Sequence, residues 1–312
     1  MRLTVATWNL YLGAEVELLL GATSMEDLAE RSQVLLRQLE RTDFTERAAS
    51  VAQLLVEEGV EVVGLQEVSR LTSTPLGDGA EPAAAEVLAD YLPTLLAALE
   101  THGAAFAAHA ADVSFDGGLP VGDRWLQVTG ANVLRVRRDV GLEVVAERTG
   151  RFATAAELQL AVGARSFPVR LGWGRIDVER GGDRVAVLNT HTEAWDAQVR
   201  DAQRDALLEV MTGAGPAVLL GDLNATPDQV GVPAPWVDAW LAAGGDPDGG
   251  RTCGQTGDLS NPVPDLRDRI DYVFTRGLTV RTCRVVGGDP QDRTPSGLWP
   301  SDHAAVVAEL AS

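Results

Sequence analysis

Gly59-Val-Glu-Val-Val-Gly-Leu-Gln-Glu67 is the stretch from which the fold is read. Val62–Gln66 carries apolar residues on both faces, the pattern of a strand buried in the middle of a sheet, and it ends at the carboxylate of Glu67. Upstream, Asp43–Glu58 places Val51, Leu54 and Leu55 at helical spacing, and Gly59 suits the left-handed residue that closes a helix. A helix therefore hands over directly to an interior strand that delivers an acid at its end. The N-terminal run Leu3–Trp8 has the same form, alternating β-branched residues up to the amide of Asn9. Between the two strands, Ser24 with Asp27 three positions on predicts a helix start, with Leu28, Leu35, Leu36 and Leu39 as its apolar face.

Downstream, residues 69–124 predict a helix with surface loops: a Gly/Pro loop at 75–82, an Ala/Leu-rich helix over 83–100 interrupted at Pro93, and an irregular stretch through Gly117–Gly122. Strands are expected at Leu126–Val136, Glu143–Ala146, Val169–Val178 and Arg184–Asn189, separated by turns such as Arg180-Gly-Gly-Asp183, with antiparallel pairing. A helix over Trp195–Met211 precedes the strand Ala217–Leu220. A short helix near Trp236–Ala242 and a long polar loop lead to closing strands at Arg269–Thr275, Leu278–Val286 and Ala304–Leu310.

The 312 residues include 26 Lys+Arg, all arginine, against 45 Asp+Glu, for a formal charge of −19. That excludes a protein that coats nucleic acid. With 45% hydrophobic residues the chain can build a packed core, which excludes a disordered chain. No stretch approaches the roughly 20 apolar residues of a membrane span, and no basic region followed by an apolar segment and cleavage site opens the chain. The expectation is a cytoplasmic protein, or a secreted one if a signal peptide has been removed, without stable membrane insertion. Two cysteines, Cys253 and Cys283, exclude a disulfide scaffold and a four-cysteine zinc site, and two free thiols are expected.

Polar residues recur where strands run out: Asn9, Glu67, His191, Asp222 with Asn224, Asp271 within Arg269–Phe274, and Asp302-His303. Singly, each is a turn or capping residue. Together, two histidines, four carboxylates and two amides at the mouth of a sheet suit a hard divalent cation with acid–base groups acting on a phosphate. In this order, Thr7-Trp-Asn9, Gln66-Glu67, Asn189-Thr-His191, Gly221-Asp-Leu-Asn224, Arg269-Ile-Asp-Tyr-Val273 and Ser301-Asp-His303 resemble the endonuclease/exonuclease/phosphatase superfamily, the DNase I-like fold. The resemblance implies an α/β fold, a four-layered α-β-β-α sandwich of two mainly antiparallel sheets with flanking helices, as one domain over residues 1–312.

It also implies roles. Glu67 matches the metal-binding glutamate for Mg²⁺ or Mn²⁺, with Asn9 beside it and Asp302 helping through a water. His303 matches the histidine at the scissile phosphate and Asp271 the carboxylate that orients it. Asp222 and Asn224 match an Asp-x-Asn pair, whose period-two spacing would put both on one side of an extended segment. The general base is left between Asp222 and His303. His191 corresponds to a histidine that donates to a phosphoryl oxygen or the leaving group, with Glu193 as companion, and Asn132 resembles a phosphate contact. The tyrosine that several relatives place in the middle third has no counterpart among Tyr11, Tyr91 and Tyr272.

The expected activity is metal-dependent hydrolysis of a phosphate ester, by a phosphodiesterase or phosphatase, through in-line attack of an activated water. A nuclease is the alternative, weakened because nucleic-acid affinity rests on Lys and Arg contacts to phosphates. The basic clusters are only Arg135-Val-Arg-Arg138 and the Arg267/Arg269 pair. A lipid substrate ranks third, because Trp236 and Trp240, four apart, fit core packing as well as a membrane anchor. The alternative of another class is a non-catalytic binding member of the fold. No protein partner is inferred.

Overall fold

The computed structural model describes residues 1–76, 85–160, 165–213 and 215–312. The chain opens with β1 (Arg2–Asn9), then α1 (Glu17–Leu20), α2 (Met25–Arg41) and α3 (Phe44–Glu57). Next come β2 (Val62–Pro75), β3 (Glu86–Asp90), α4 (Tyr91–Thr101), β4 (Phe106–Val121), β5 (Arg124–Arg137) and β6 (Glu143–Arg151). A small hairpin, β7 (Ala156–Leu160) and β8 (Arg165–Val169), precedes β9 (Gly172–Arg180), β10 (Asp183–His191), α5 (Ala197–Val210) and β11 (Ala217–Asp222). The chain closes with β12 (Val237–Asp238), α6 (Ala239–Ala242), β13 (Asp271–Arg276), β14 (Thr279–Val286) and β15 (Ala305–Ala311).

Two sheets result, one ordered β14-β15-β1-β2-β5-β4 with β3 on β2, the other β12-β13-β11-β10-β9-β6. All their pairings are antiparallel except β1 with β2 and β10 with β11. Each parallel pair is joined through helices: α1 to α3 in the first sheet, α5 in the second. The pairs set the C-terminus of β1, Asn9, against Gln66 within β2, and the C-termini His191 and Asp222 side by side.

Alternation along the strands divides the core. Val5, Leu134, Val136, Val306 and Ala308 of the first sheet pack against Ile176, Val187, Val218, Leu220 and Val273 of the second. The residues between them point outward. Ala6, Trp8, Val63 and Leu65 meet α3 and α4 through Val51, Leu55, Leu95 and Leu99. Leu188, Ala217 and Leu219 meet α5 through Leu207 and Met211. The layers are helix, sheet, sheet, helix, as the resemblance implies.

The helix starts follow the local chemistry. Ser24 accepts the N–H of Asp27 at 3.0 Å, while Asp27 takes the N–H of Thr23 at 2.9 Å. Gly59 has φ +63° after α3. Both cysteines are free. Among the described residues, no helix is long and apolar enough to cross a membrane.

Several expectations need correction. Residues 106–121 are a strand paired with β5 along its length, not surface loop. Two residues, Gly122 at φ +61° and Asp123, close this hairpin. Its alanines and glycines have weak strand propensity of their own, so the pairing decides the conformation. Residues 86–90 are strand, and the helix begins only at Tyr91, with Pro93 in its first turn where no helical donor is needed. The expected helix start at 83 and most of the loop at 75–82 lie outside the described residues. The strand expected at Val169–Val178 is divided between β8 and β9. Trp236 precedes the short helix instead of lying on it.

Candidate active site

Strand C-termini from both sheets, and the segments flanking β13 and β15, meet at one edge of the sandwich. β2 does not end at Glu67, as the sequence suggested, but continues to Pro75. Gln66 and Glu67 together oppose the single residue Asn132 of β5, because the register runs Leu65–Val133 and then Val68–Ala131. This bulge puts Glu67 at φ +54°, a conformation side chains avoid, and re-aims the carboxylate into the site. Its Oε1 accepts the amide of Asn9 at 3.0 Å and its Oε2 the N–H of Leu12 at 2.8 Å.

Asn9 is the junction. Its Oδ1 accepts the N–H of Tyr11 at 2.9 Å, while Nδ2 donates to Glu67 and, at 3.1 Å, to Oδ2 of Asp222 in the opposite sheet. With its oxygen so engaged, Asn9 presents a donor to two carboxylates and holds them in place. Asp222 closes β11, and its Oδ1 accepts the N–H of Asn224 at 2.9 Å. Asn224 stands at φ +47°. An Asx turn therefore brings the pair together, instead of the extended backbone that the spacing suggested. Asn224 Nδ2 donates to the Thr192 carbonyl and to Nε2 of His191, both at 2.9 Å. His191 Nε2 is also 3.5 Å from Asp222 Oδ2.

Asp271 is the first residue of β13, placed across from Asp222 in the antiparallel register. Its Oδ2 lies 2.8 Å from Nδ1 of His303, which also stands 3.9 Å from Asp222 Oδ2. Burial pushes the Asp271 carboxyl upward, Asp222 adds to this, and His303 opposes it. Burial alone would lower the His303 imidazolium, but Asp271 and Asp302 hold it well above the usual range. Asp222, Asp271 and His303 place ligand-type atoms within 4.8 Å of one another. The short contact to Nδ1 has the geometry of an acid–base pair, because it occupies the nitrogen a metal would need on that side. Asp302, half-buried, is pushed up to about 7 by burial, with His303 opposing and Glu67 adding its repulsion.

Asn132 is buried, and neither of its amide atoms has a partner. Its place opposite the Glu67 bulge brings it to this edge of the sheet. Glu193 is also buried: Oε1 accepts the N–H of Trp195 at 2.9 Å and Oε2 is unpartnered.

The sequence reading missed the residues that hold this edge together. Arg47 of α3 is fully buried and donates to the carbonyls of Leu10 (2.8 Å), Thr42 (2.7 Å), Pro300 (3.0 Å) and Tyr11 (3.3 Å) and to the Tyr91 hydroxyl (3.1 Å). It thereby joins the segment after Asn9 to the one before Asp302. Its position among Phe44, Val51 and Leu55 on one helical face was the available signal. Asn189 crosses between the sheets, donating to the carbonyls of Leu65 and Val133 at 3.1 Å and accepting from Gln66 at 2.6 Å. Ser301 donates to the Asn9 carbonyl at 2.7 Å and Trp8 to the His303 carbonyl at 2.9 Å.

These residues open onto a cleft of about 440 Å³ that includes Glu67, His191, Asp222, Asn224, Asp302 and His303. Asp271, Asn9 and Asn132 stand behind its wall.

The fold has close counterparts. Truncated TDP2 from Caenorhabditis elegans superposes with a TM-score of 0.56 at 19% identity, over 100% of this chain and 98% of that one. D. rerio TDP2 complexed with a single-strand DNA product gives 0.60 at 16%, over 100% and 99%. A mannosyl-6-phosphatase from Bacteroides thetaiotaomicron gives 0.61 at 17%, over 99% and 100%. At such identities the likeness is one of fold. No curated protein matches by sequence. The profile of the Endonuclease/Exonuclease/phosphatase family matches residues 6–303, which takes in every strand-end motif from Thr7 to His303, and the chain belongs to that family.

Proposed function

We propose that the protein is a divalent-metal-dependent hydrolase of phosphate esters, built as one domain over residues 1–312 and acting by in-line attack of water. The observation that carries this reading is the convergence of Glu67, Asp222 and Asp302-His303, from both sheets, on one cleft. Glu67 and Asp302 repel one another. The nearby cation, Arg47, is committed to four carbonyls and a hydroxyl. Two hard oxygen donors whose charges repel one another suit Mg²⁺ or Mn²⁺, which Glu67 and Asp302 would hold, with Asn9 orienting Glu67. When bound, the ion supplies neutralisation of the phosphate charge.

The chain's own residues manage protons and position. Asp271 fixes the His303 ring through Nδ1 and leaves Nε2 for proton exchange. Either Asp222, held by the N–H groups of Asn9 and Asn224, or His303 takes the proton from water. His191, which lines the cleft, donates to a phosphoryl oxygen or the leaving group, while Asn132, behind the wall with its amide unpartnered, backs the Glu67 bulge.

The solved neighbours span a phosphatase and a TDP2 holding a DNA product, so the assay covers both. The test is p-nitrophenol release from bis-p-nitrophenyl phosphate and p-nitrophenyl phosphate, and nicking of plasmid DNA, each with Mg²⁺, Mn²⁺ or EDTA. Turnover that EDTA abolishes and metal restores supports the reading. No metal-dependent turnover on any of the three leaves a binding role in its place.

A further inference from the structure

The active-site cleft is two-sided in chemistry. One end carries His191, Asp222, Asn224, Asp302 and His303; the rest is walled largely by aliphatic and aromatic side chains, with Glu15, Glu17, Ser69, Ser114 and Gln255 among them. Val16, Leu19 and Leu20 come from α1 and the residue before it, Phe115 and Leu126 from the β4–β5 hairpin, and Leu171 from the segment before β9. Among the described residues no arginine lines the cleft, and the sequence contains no lysine. Apart from the two histidines, every ionisable side chain of the acid–base type along the cleft is a carboxylate: Glu15, Glu17, Glu67, Glu193, Asp222 and Asp302.

A nucleic-acid strand carries one phosphate per nucleotide and needs cations along its path. Here only the histidine end accommodates an anion, and Glu15 and Glu17 repel a second phosphate farther along. Whatever extends from the reacting phosphate into the cleft therefore carries no second phosphate, and the aliphatic wall suits an apolar group. The volume of about 440 Å³ fits a small ligand, within the range of typical small-molecule sites. A membrane surface is disfavoured by the charge of −19, which anionic lipid repels.

Resting on the phosphate-ester hydrolase reading above, we propose that the preferred substrate is a phosphodiester of an apolar alcohol, taken singly from solution, whose hydrocarbon group occupies the wall formed by Leu19, Leu20, Phe115, Leu126 and Leu171. Water forms the new bond to phosphorus, and the phosphorus–oxygen bond to the departing alcohol breaks. The proton lost by water ends on the departing oxygen or in solvent, and no oxidant or reductant is involved.

The experiment is a series of n-alkyl p-nitrophenyl phosphates, methyl through octyl, assayed below their aggregation concentrations with Mg²⁺ or Mn²⁺. The expected result is a kcat/KM that rises about threefold to fourfold per methylene until the wall is filled. Leu20 is half-buried at the margin of the cluster of Leu19, Leu28 and Leu35, and Trp195 of the cleft is 53% exposed, so Trp195 in particular can be truncated without opening the core. Leu20→Asn and, independently, Trp195→Ala lower the octyl-to-methyl ratio at least about fivefold, read within each folded variant. A methyl ester that is hydrolysed while the series stays flat overturns the proposal and leaves the hydrolase reading standing. No turnover of any ester removes the reading on which it rests. Phosphatidylcholine vesicles, or a single-strand oligonucleotide, hydrolysed faster than the dispersed octyl ester likewise overturn it.

Discussion

Asn9 and Asp222, 213 positions apart, are joined by a hydrogen bond of 3.1 Å between Nδ2 and Oδ2, which ties the end of β1 in one sheet to the end of β11 in the other. Both side chains are buried, so the bond is protected from competing water. Through Asn9 the same amide also reaches Glu67, and one side chain therefore sets the relative placement of the acid proposed for the metal and the acid proposed for proton transfer.

Replacing Asp222 by Asn keeps the size and removes the charge. Turnover on an activated phosphodiester should fall at least ~10²-fold if Asp222 takes part in proton transfer. The unfolding midpoint in urea should change little by comparison. Turnover within a factor of three of the parent would exclude Asp222 from the chemistry.

Arg47 has a second kind of importance. Its guanidinium lies 5.0 Å from the Phe44 ring centroid and 5.6 Å from that of Tyr91, rings that stack on one another at 3.6 Å. Arg47→Met would fill the space but leave buried carbonyls of Leu10, Tyr11 and Pro300 without this donor. A loss of about 3 kcal/mol is expected, measured by urea unfolding at neutral pH. Arg47→Lys should recover only part of it, because an ammonium lacks the planar fork that reaches several carbonyls at once. An unchanged midpoint for the Met variant would mean the cluster is not holding the site edge.

Gly64 sits directly beneath Asn189. A Cβ at position 64 would lie 2.4 Å from the Asn189 Oδ1 and 2.7 Å from its Cγ. Asn189 cannot yield without giving up bonds to Gln66, Leu65 and Val133. Gly64→Ala should therefore cost about 2 kcal/mol and also lower turnover, since Gly64 leads into the Glu67 bulge. Denaturation midpoint and kcat measured together test this; an alanine variant as stable as the parent would show that the two sheets slide freely here.

Asp112 supplies a pH dependence two strands away from Glu67, across Asn132 in the ladder. It is buried, with Oδ2 unpartnered and Oδ1 3.6 Å from Arg151 Nε. Burial pushes its carboxyl up to about 6, against the opposing pull of Arg151. The folded protein thus holds this proton more tightly than the unfolded chain. The associated stability is present below about pH 4, the unfolded value, and is lost as pH rises through about 6. Asp112→Asn should flatten that part of the stability profile and raise stability at pH 8 by up to about 3 kcal/mol. Parallel profiles of parent and variant between pH 4 and 7 would contradict this assignment.

The strands that enclose the core were readable because their side chains state their surroundings. Val62–Gln66 and Ala217–Leu220 are apolar on both faces, and the structure buries both faces. The cap at Ser24 was readable for the same local reason. Residues 106–121 were not, since alanine, glycine and aspartate gain strand conformation there only by pairing with β5. Nor was the Glu67 bulge, whose positive φ is imposed by the two-to-one register against Asn132 and leaves no mark in composition.

From its order of residues alone, the chain specified which chemical groups it owns, that all but Glu67 stand at or beside strand ends, and the family pattern they compose, because propensity and periodicity are local properties. Tertiary structure alone decided that Asn9 donates to two carboxylates, that an Asx turn draws Asn224 to His191, and that Arg47 clamps the edge. It also decided that the His191–His303 end of the cleft opens onto a largely apolar wall. Each of these depends on distances between residues far apart in sequence, and such distances are set by how the two sheets pack.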